Sequence, residues 1–190
     1  MTLRSNKGQL SRERLKQAAI RLFFERGYHA ASIRQVAARA RLDPASVYYY
    51  FPSKQALLAG VLEEVMESLL AAIRTNVTYH GSHPREAAIS DTELRGLTRS
   101  NRVRLIALRD RLEEIFRTIL QQGNVAGCCS TDPRLACFAI MAVCNEVSHW
   151  YRPDGGLTLE AIAAFDADLL VGAVRSGRPV AEAAGKGERR

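Results

Sequence analysis

Apolar residues recur along the chain at the three- and four-residue spacing of helix faces. No stretch alternates apolar and polar residues for long enough to form a sheet, and Pro and Gly fall mainly at segment boundaries. The pattern predicts an all-α protein. The predicted helices span residues 11–26, 32–40, 43–51, 53–76, 85–100, 101–121, 132–151 and 158–175, with a loop at 123–127.

The first predicted helix has one apolar face, and its ends carry recognisable signals. Ser11 is a candidate N-cap, and Gly27 is a candidate C-terminal stop. The face between them follows the i, i+3, i+4, i+7 spacing of an amphipathic helix. Its members are Leu15, Ala18, Ala19, Leu22 and Phe23.

Two short helices follow, each with its own capping signals. Ser32 can cap the second helix, with Gln35 at the capping-box position three residues later. Asp43 can cap the third, with Pro44 at the first helical position, where its missing N–H costs nothing. The sequence therefore predicts three consecutive helices joined by tight turns.

The third short helix carries three consecutive tyrosines, which cannot all face one core because neighbouring helical residues point about 100° apart. Val47 and Phe51 lie four residues apart and are predicted to be buried together. Tyr48 and Tyr49 then project from other faces, while Tyr50 can pack back on the first helix. At least one phenol is thus predicted to face outward.

Three short helices in a basic segment are typical of the helix-turn-helix, whose third helix enters the major groove of DNA. Small residues at its N-terminal end can approach the bases, and a phenol can contact sugar and phosphate. Lys54, at the start of the next helix, combines an ammonium group with free backbone N–H groups. The candidate DNA contacts are Ser32, Arg34, Ala45, Ser46, Tyr48, Tyr49, Tyr50 and Lys54.

The charge distribution supports this location. The chain carries a net charge of +7, and residues 1–54 hold eleven basic and three acidic residues. The remaining residues hold 16 basic and 17 acidic groups, so all excess positive charge lies in the first quarter. A basic segment attracts the phosphates of nucleic acid, although a solvated basic face has the same composition.

Residues 18–58, AAIRLFFERGYHAASIRQVAARARLDPASVYYYFPSKQALL, resemble the DNA-binding domain of the TetR family of bacterial transcriptional regulators. The resemblance implies a helix-turn-helix domain at residues 1–54, a larger helical ligand-binding and dimerisation domain at 55–178, and a flexible tail at 179–190. It also implies a homodimer whose last two helices form a four-helix interface. Such a dimer would bind a palindromic double-stranded operator and release it when a small-molecule effector binds.

One residue departs from the family pattern. The family usually has glycine where Arg41 stands, in the turn between the second and third helices. A residue there often needs a positive φ, which disfavours residues with a side chain. Either the turn differs, or Arg41 adopts this conformation near a phosphate.

The C-terminal part is similar to a subgroup of the family that controls lipid, fatty-acid or steroid breakdown and often responds to acyl-CoA thioesters. The similar stretches are residues 102–127 and 130–165, including the segment WYRPDG. Polar side chains on otherwise apolar helices are the candidate effector contacts, although each can equally be a satisfied core group. They are Arg109, Asn145, Glu146 and His149, with Trp150 as a stacking surface.

Other classes of function have weaker signals. The four histidines form no zinc or nucleophile signature and no glycine-rich phosphate loop is present, so we expect neither an enzyme nor a bound cofactor or metal. A thiol- or metal-responsive regulator is an alternative, with Cys128, Cys129, Cys137 and Cys144 as its sensing residues. A non-specific nucleic-acid binder is a further alternative, which would show a steep salt dependence without sequence preference.

Two features of the sequence bear on the location of the protein. The first 14 residues are polar and lack the apolar region of a signal peptide. The longest apolar run, residues 135–144, is half of the roughly 20 residues that cross a membrane. We therefore expect a cytoplasmic protein with free thiols and no membrane partner.

Overall fold

The structure is a computed structural model that describes residues 3–176, with the side chains of residues 8–90 and 92–175. All regular elements in this range are helical, which confirms the predicted fold class. A short 3₁₀ helix covers Glu93–Gly96. The α-helices are α1 (Leu3–Arg26), α2 (Ile33–Ala40), α3 (Pro44–Tyr50), α4 (Lys54–Ser82), α5 (Pro84–Thr92), α6 (Arg99–Ala126), α7 (Pro133–Trp150) and α8 (Leu159–Ser176). The predicted tail at 179–190 lies outside the described residues.

The capping signals of the short helices are confirmed. The Ser32 hydroxyl accepts a hydrogen bond from the backbone N–H of Gln35, and the Gln35 side chain accepts one from the N–H of Ser32. The Asp43 carboxylate accepts from the N–H of Ala45 at 2.7 Å, and Pro44 is the first residue of α3. These bonds satisfy N–H groups that the first turn of a helix leaves without partners, so each helix starts where its cap stands.

The predicted start of α1 at Ser11 is wrong, because the helix begins eight residues earlier at Leu3. Residues 3–10 contain no proline, and a serine inside a helix imposes no break. The other end is as predicted, since Gly27 has a φ of +79°, a conformation that glycine adopts without a steric penalty.

Two helices are longer than predicted, and each extends through a glycine at a close contact between elements. α4 continues to Ser82, and a Cβ on Gly81 would lie 2.4 Å from Leu159 of α8. α6 continues to Ala126 through the predicted loop, and a Cβ on Gly123 would lie 2.5 Å from the Cys129 sulfur. Both glycines lie inside helices at tight contacts, so they are not helix breakers.

The chain forms two hydrophobic cores. The smaller core packs α1, α2 and α3 against the first turns of α4, including Leu57 and Val61. The larger core packs the remainder of α4, from Leu69 onward, against α6, α7 and α8. α4 therefore belongs to both cores. The division of the chain into domains at residue 54 stays a prediction.

The apolar helix α7 is covered on one side within this chain. Ile140, Cys144 and Val147 are buried in the larger core, whereas Leu135 and Phe138 are about half exposed. No helix of the described residues has the length and apolarity needed to span a bilayer.

Candidate nucleic-acid interface and ligand cavity

α3 presents phenols to solvent because its other side is fixed in the core. Val47 is fully buried and Phe51 is 2% exposed, as predicted. Tyr48 is 56% exposed and Tyr49 is 83% exposed. Tyr50 is half-buried, packs against the smaller core and makes an edge-to-face contact with the Tyr49 ring. The side chains of Tyr48 and Tyr49 are therefore accessible to a binding partner.

Four other candidate DNA contacts lie at the N-terminal ends of α2 and α3. Ser32 and Arg34 are exposed at the start of α2. Ala45 is exposed and Ser46 half-buried in the first turn of α3. The small side chains of α3 allow its N-terminal end to approach the bases of DNA, and the long cationic side chain of Arg34 can reach a phosphate. Their roles in DNA contact stay predictions.

The Lys54 ammonium group is held in place at the first residue of α4. It lies 4.3 Å from the centroid of the Tyr28 ring and donates a hydrogen bond to the His29 carbonyl oxygen at 3.3 Å. The ring attracts the cation, and the contact lowers the number of conformations that the lysine samples. Its position beside the N-terminus of α4 is suited to a phosphate group.

Arg41, which departs from the TetR pattern, adopts the left-handed conformation with a φ of 57°. The N–H of Arg41 donates to the Ala38 carbonyl, and the N–H of Leu42 donates to the Ala37 carbonyl, so the turn ends α2 in the usual way. A residue with a side chain costs about 1 kcal/mol more than glycine in this conformation. Of the two alternatives, the structure shows the strained arginine.

A cavity of about 340 Å³ lies in the C-terminal part, between the end of α4, α5, α6 and α7. Two of the predicted effector contacts, Arg109 and Asn145, line it. The Arg109 guanidinium donates to the Ser90 carbonyl and hydroxyl oxygens at 2.7 and 2.9 Å. The Asn145 Oδ1 is buried and has no hydrogen-bond donor among the described residues. A ligand with an O–H or N–H group would satisfy it.

The other predicted effector contacts do not line this cavity. Glu146 and His149 are exposed, with 3.8 Å between the His149 Nδ1 and a Glu146 carboxylate oxygen. Trp150 is about half exposed at the end of α7. Asn145 points into the protein while its sequence neighbours point outward, because successive helical residues face different directions.

Sequence reasoning missed most of the residues around the cavity. They come from four separate helices, and no local sequence pattern connects them. The predicted end of α4 at residue 76 also excluded the turn that supplies two of them. The missed lining residues are Tyr79, His80, Glu86, Ala87, Ser90, Leu112, Glu113, Phe138 and Met141.

The cysteines have the environment of core side chains. Burial raises the pKa of Cys144 to about 12, and it raises the pKa of Cys137 as well. A hydrogen bond with Cys129 lowers the pKa of Cys128, the only half-buried thiol of the four. Within the described residues, no group of three or more His, Cys, Asp or Glu side chains could hold a metal ion. These observations on the described residues do not support the alternative of a thiol- or metal-responsive regulator.

Comparisons with known proteins identify both parts of the chain. Residues 15–61 match the family model for bacterial regulatory proteins of the tetR family. Residues 63–174 match the model for the tetracyclin repressor-like C-terminal domain. The boundary between the two matches lies within α4, where the two hydrophobic cores meet.

Individual relatives agree with these matches. The transcriptional repressor KstR2 of Rhodococcus jostii is 25% identical over 174 residues, which cover 80% of this chain and 85% of KstR2. The regulator YuxN of Bacillus subtilis is 32% identical over 71 residues, which cover 37% of this chain and 24% of the length of YuxN.

A solved structure also matches over most of its length. The crystal structure of a tetR-family regulatory protein from Rhodococcus RHA1 is 27% identical, covers 86% of this chain and 96% of that one, and has a TM-score of 0.50. With a family model matching more than half of its residues, the chain belongs to the TetR family of bacterial DNA-binding transcriptional regulators.

Proposed function

We propose that this protein is a homodimeric repressor that binds a palindromic operator through α3 and releases it when a small apolar or acyl-CoA-type effector occupies the cavity. The observation that carries the DNA-binding part is the position of Tyr49. This phenol is 83% exposed on a helix whose Val47 is fully buried. Such an arrangement presents a rigid aromatic side chain where a groove or a phosphate can receive it.

The role of repressor is supported by the family and by the function of one relative, KstR2. KstR2 is a transcriptional repressor, and the match to it covers 80% of this chain. A repressor that responds to a ligand needs two sites whose occupancies are coupled. The α3 surface and the cavity are candidates for these sites, and α4 contributes residues to both the smaller core and the cavity.

Exposed apolar side chains support a homodimer. On α7, Leu135 and Phe138 are about half exposed, and on α8 Phe165 and Leu169 are more than half exposed. α7 and α8 are in contact, so these side chains can form one continuous surface. A second copy of the chain would bury it about a two-fold axis, and the dimer would present two α3 helices to successive turns of DNA, about 34 Å apart.

The proposed effector class rests on the lining of the cavity. Leu112, Phe138 and Met141 provide apolar surface, and Arg109 and Asn145 provide polar groups. A cavity of about 340 Å³ is at the lower end of the range for small-molecule sites. An acyl chain fits this character, and the amide N–H groups of a CoA thioester could pair with the Asn145 oxygen while the nucleotide extends into solvent.

The DNA-binding proposal can be tested without knowledge of the operator. Selection from random duplex DNA by the full-length protein should enrich a palindrome. Tyr49→Ala and Lys54→Ala should weaken binding to that sequence, and Lys54→Ala should reduce the salt slope by about 1. Ile89→Ala, which removes a large exposed side chain from α5, is the control. Enrichment of no sequence, or equal losses in all three variants, would contradict the proposal.

The dimer and the effector need separate measurements. Light scattering at micromolar concentration should give about 42 kDa, twice the 21.0 kDa of one chain. A thermal-shift screen should compare free fatty acids with their CoA thioesters, because a ligand that binds only the folded state raises its melting temperature. A monomeric mass would refute the homodimer. The absence of a change in melting temperature with both fatty acids and CoA thioesters would refute the effector class.

A further inference from the structure

A second cavity of about 340 Å³ opens between α1 and the C-terminal end of α2. Four of its seven lining residues are arginines, namely Arg14 and Arg21 on α1, Arg39 on α2 and Arg41 in the turn that follows. None of the lining residues belongs to α3 or α4. The cleft is therefore made of a different set of residues from the proposed operator-binding surface.

One of the four arginines has a partner within the chain. The Arg39 guanidinium donates two hydrogen bonds to the Glu25 carboxylate, at 2.5 and 2.7 Å. This hydrogen bonding from Arg39 lowers the pKa of Glu25, and the nearby charge of Arg21 lowers it further. In the part of the chain that the structure describes, no carboxylate pairs with Arg14, Arg21 or Arg41 at ion-pair distance. The cleft thus holds several guanidinium groups against one neighbouring carboxylate.

The backbone of Arg41 adds to this observation. Its φ of 57° would suit glycine, yet the residue there has a long cationic side chain that lines the cleft. Strain of this kind recurs at functional sites. The partial negative charge at the end of α2 attracts Arg39 and Arg41, but it does not account for Arg14 and Arg21, which lie on α1 before its last turn.

From the clustered guanidinium groups and the strained turn, we propose that this cleft binds phosphate oxyanions. The planar guanidinium of arginine donates two parallel hydrogen bonds to a phosphate, and several of them around one cleft match a group with multiple charges. The bound anion would relieve the repulsion among Arg14, Arg21 and Arg41. A free polyphosphate compound and the backbone of a DNA segment flanking the operator present the same chemistry.

The test uses the full-length chain and inorganic pyrophosphate as the probe, with calorimetric titration at low ionic strength. Arg41→Gly removes one guanidinium and suits the positive φ, so it should fold at least as well as the parent. Arg14→Gln removes a second guanidinium. Arg102→Gln, an exposed arginine on α6, changes the net charge equally and serves as the control. The affinity for a random 20-base-pair duplex is measured for the same proteins against salt concentration.

Each outcome has a defined meaning. If the ligand is a free polyphosphate, pyrophosphate binds the parent and binds both cleft variants about tenfold more weakly, while Arg102→Gln is unaffected. If the ligand is the DNA backbone, the salt slope for the duplex falls by about 1 in the cleft variants and not in the control. The proposal is wrong if neither quantity changes, or if Arg102→Gln behaves as the cleft variants do.

Discussion

The Lys16 ammonium group on α1 lies 2.9 Å from a Glu64 carboxylate oxygen on α4, and the lysine side chain is only 9% exposed. A second carboxylate, that of Glu13, lies 3.0 Å from the same nitrogen. Burial alone would lower the pKa of Lys16, but hydrogen bonds with Glu64 and Glu13 outweigh burial and raise it. The ion pair between Lys16 and Glu64 connects α1 to α4, the helix that continues into the larger core.

Lys16→Met should destabilise the protein by about 3 kcal/mol, because it leaves Glu64 without its cation. The double variant Lys16→Met/Glu64→Leu should recover most of this loss, since an apolar pair of similar volume has no charge to desolvate. Urea unfolding of the parent, both single variants and the double variant measures the coupling. Additive effects of the two substitutions would show that the ion pair has no such role.

Gly123 should not tolerate a methyl group. Gly123→Ala should cost about 1–3 kcal/mol, because the new Cβ would lie 2.5 Å from the Cys129 sulfur and the helix cannot retreat from the core. Cys129→Ala in the same chain should restore part of that loss by removing the sulfur. Thermal unfolding of the two single variants and the double variant tests this. Gly96→Ala, where no atom lies within 4 Å of the added carbon, is the control and should be nearly neutral.

Asp166 should make stability depend on pH. Its side chain is buried, Oδ2 has no hydrogen-bond donor among the described residues, and burial raises its pKa above the ordinary value of 3.8. Between 3.8 and the raised pKa the folded state binds the proton more tightly than the unfolded state does. The free energy of unfolding therefore falls as pH rises through this window and stays lower at neutral pH.

Asp166→Asn removes this ionisation, so the variant should be more stable than the parent at pH 7, and the gain should diminish below pH 4. Melting temperatures from pH 3 to pH 8 provide the measurement. Asp168→Asn is a suitable control, because Asp168 is exposed and lies 3.8 Å from the exposed Arg74. A constant difference between parent and Asp166→Asn at all pH values would contradict the assignment.

The cavity between α5, α6 and α7 can be filled from α6. Leu112→Trp should abolish the stabilisation that an effector produces, because Leu112 lines the cavity and the indole would occupy its volume. DNA binding in the absence of effector should persist. Leu108→Trp places the same side chain one turn earlier on α6, where the leucine is 58% exposed and lies outside the lining. If both variants respond to the effector as the parent does, the cavity is not the effector site.

The short helices could be read from the sequence because their signals are local. Ser32 with Gln35, and Asp43 with Pro44, act through hydrogen bonds and φ preferences within four residues. Val47 and Phe51 are buried together because the helix repeat places them on one face. The same local reasoning failed at Ser11, because a capping preference does not oblige a helix to start there.

What the sequence could not provide depends on contacts between distant residues. Gly81 and Gly123 look like breaks in a sequence pattern, yet they lie inside helices, where Leu159 and Cys129 leave no room for a side chain. The sequence predicts five polar and aromatic side chains as effector contacts, and the structure brings only Arg109 and Asn145 to the cavity. Which side of α7 faces α5 and α6 is decided by the packing of the whole domain.

The continuity of α4 has a mechanical consequence. Its 29 residues form a rod about 43 Å long. At one end Leu57 and Val61 pack in the smaller core with α3, and at the other end Tyr79 and His80 line the cavity. A tilt of about 5° at one end displaces the other by roughly 4 Å, since the displacement grows with helix length. That distance exceeds the rise of one base pair, about 3.4 Å. If the proposed effector tilts α4 by this amount, the two tyrosine-bearing α3 helices of the proposed dimer would no longer match successive major grooves.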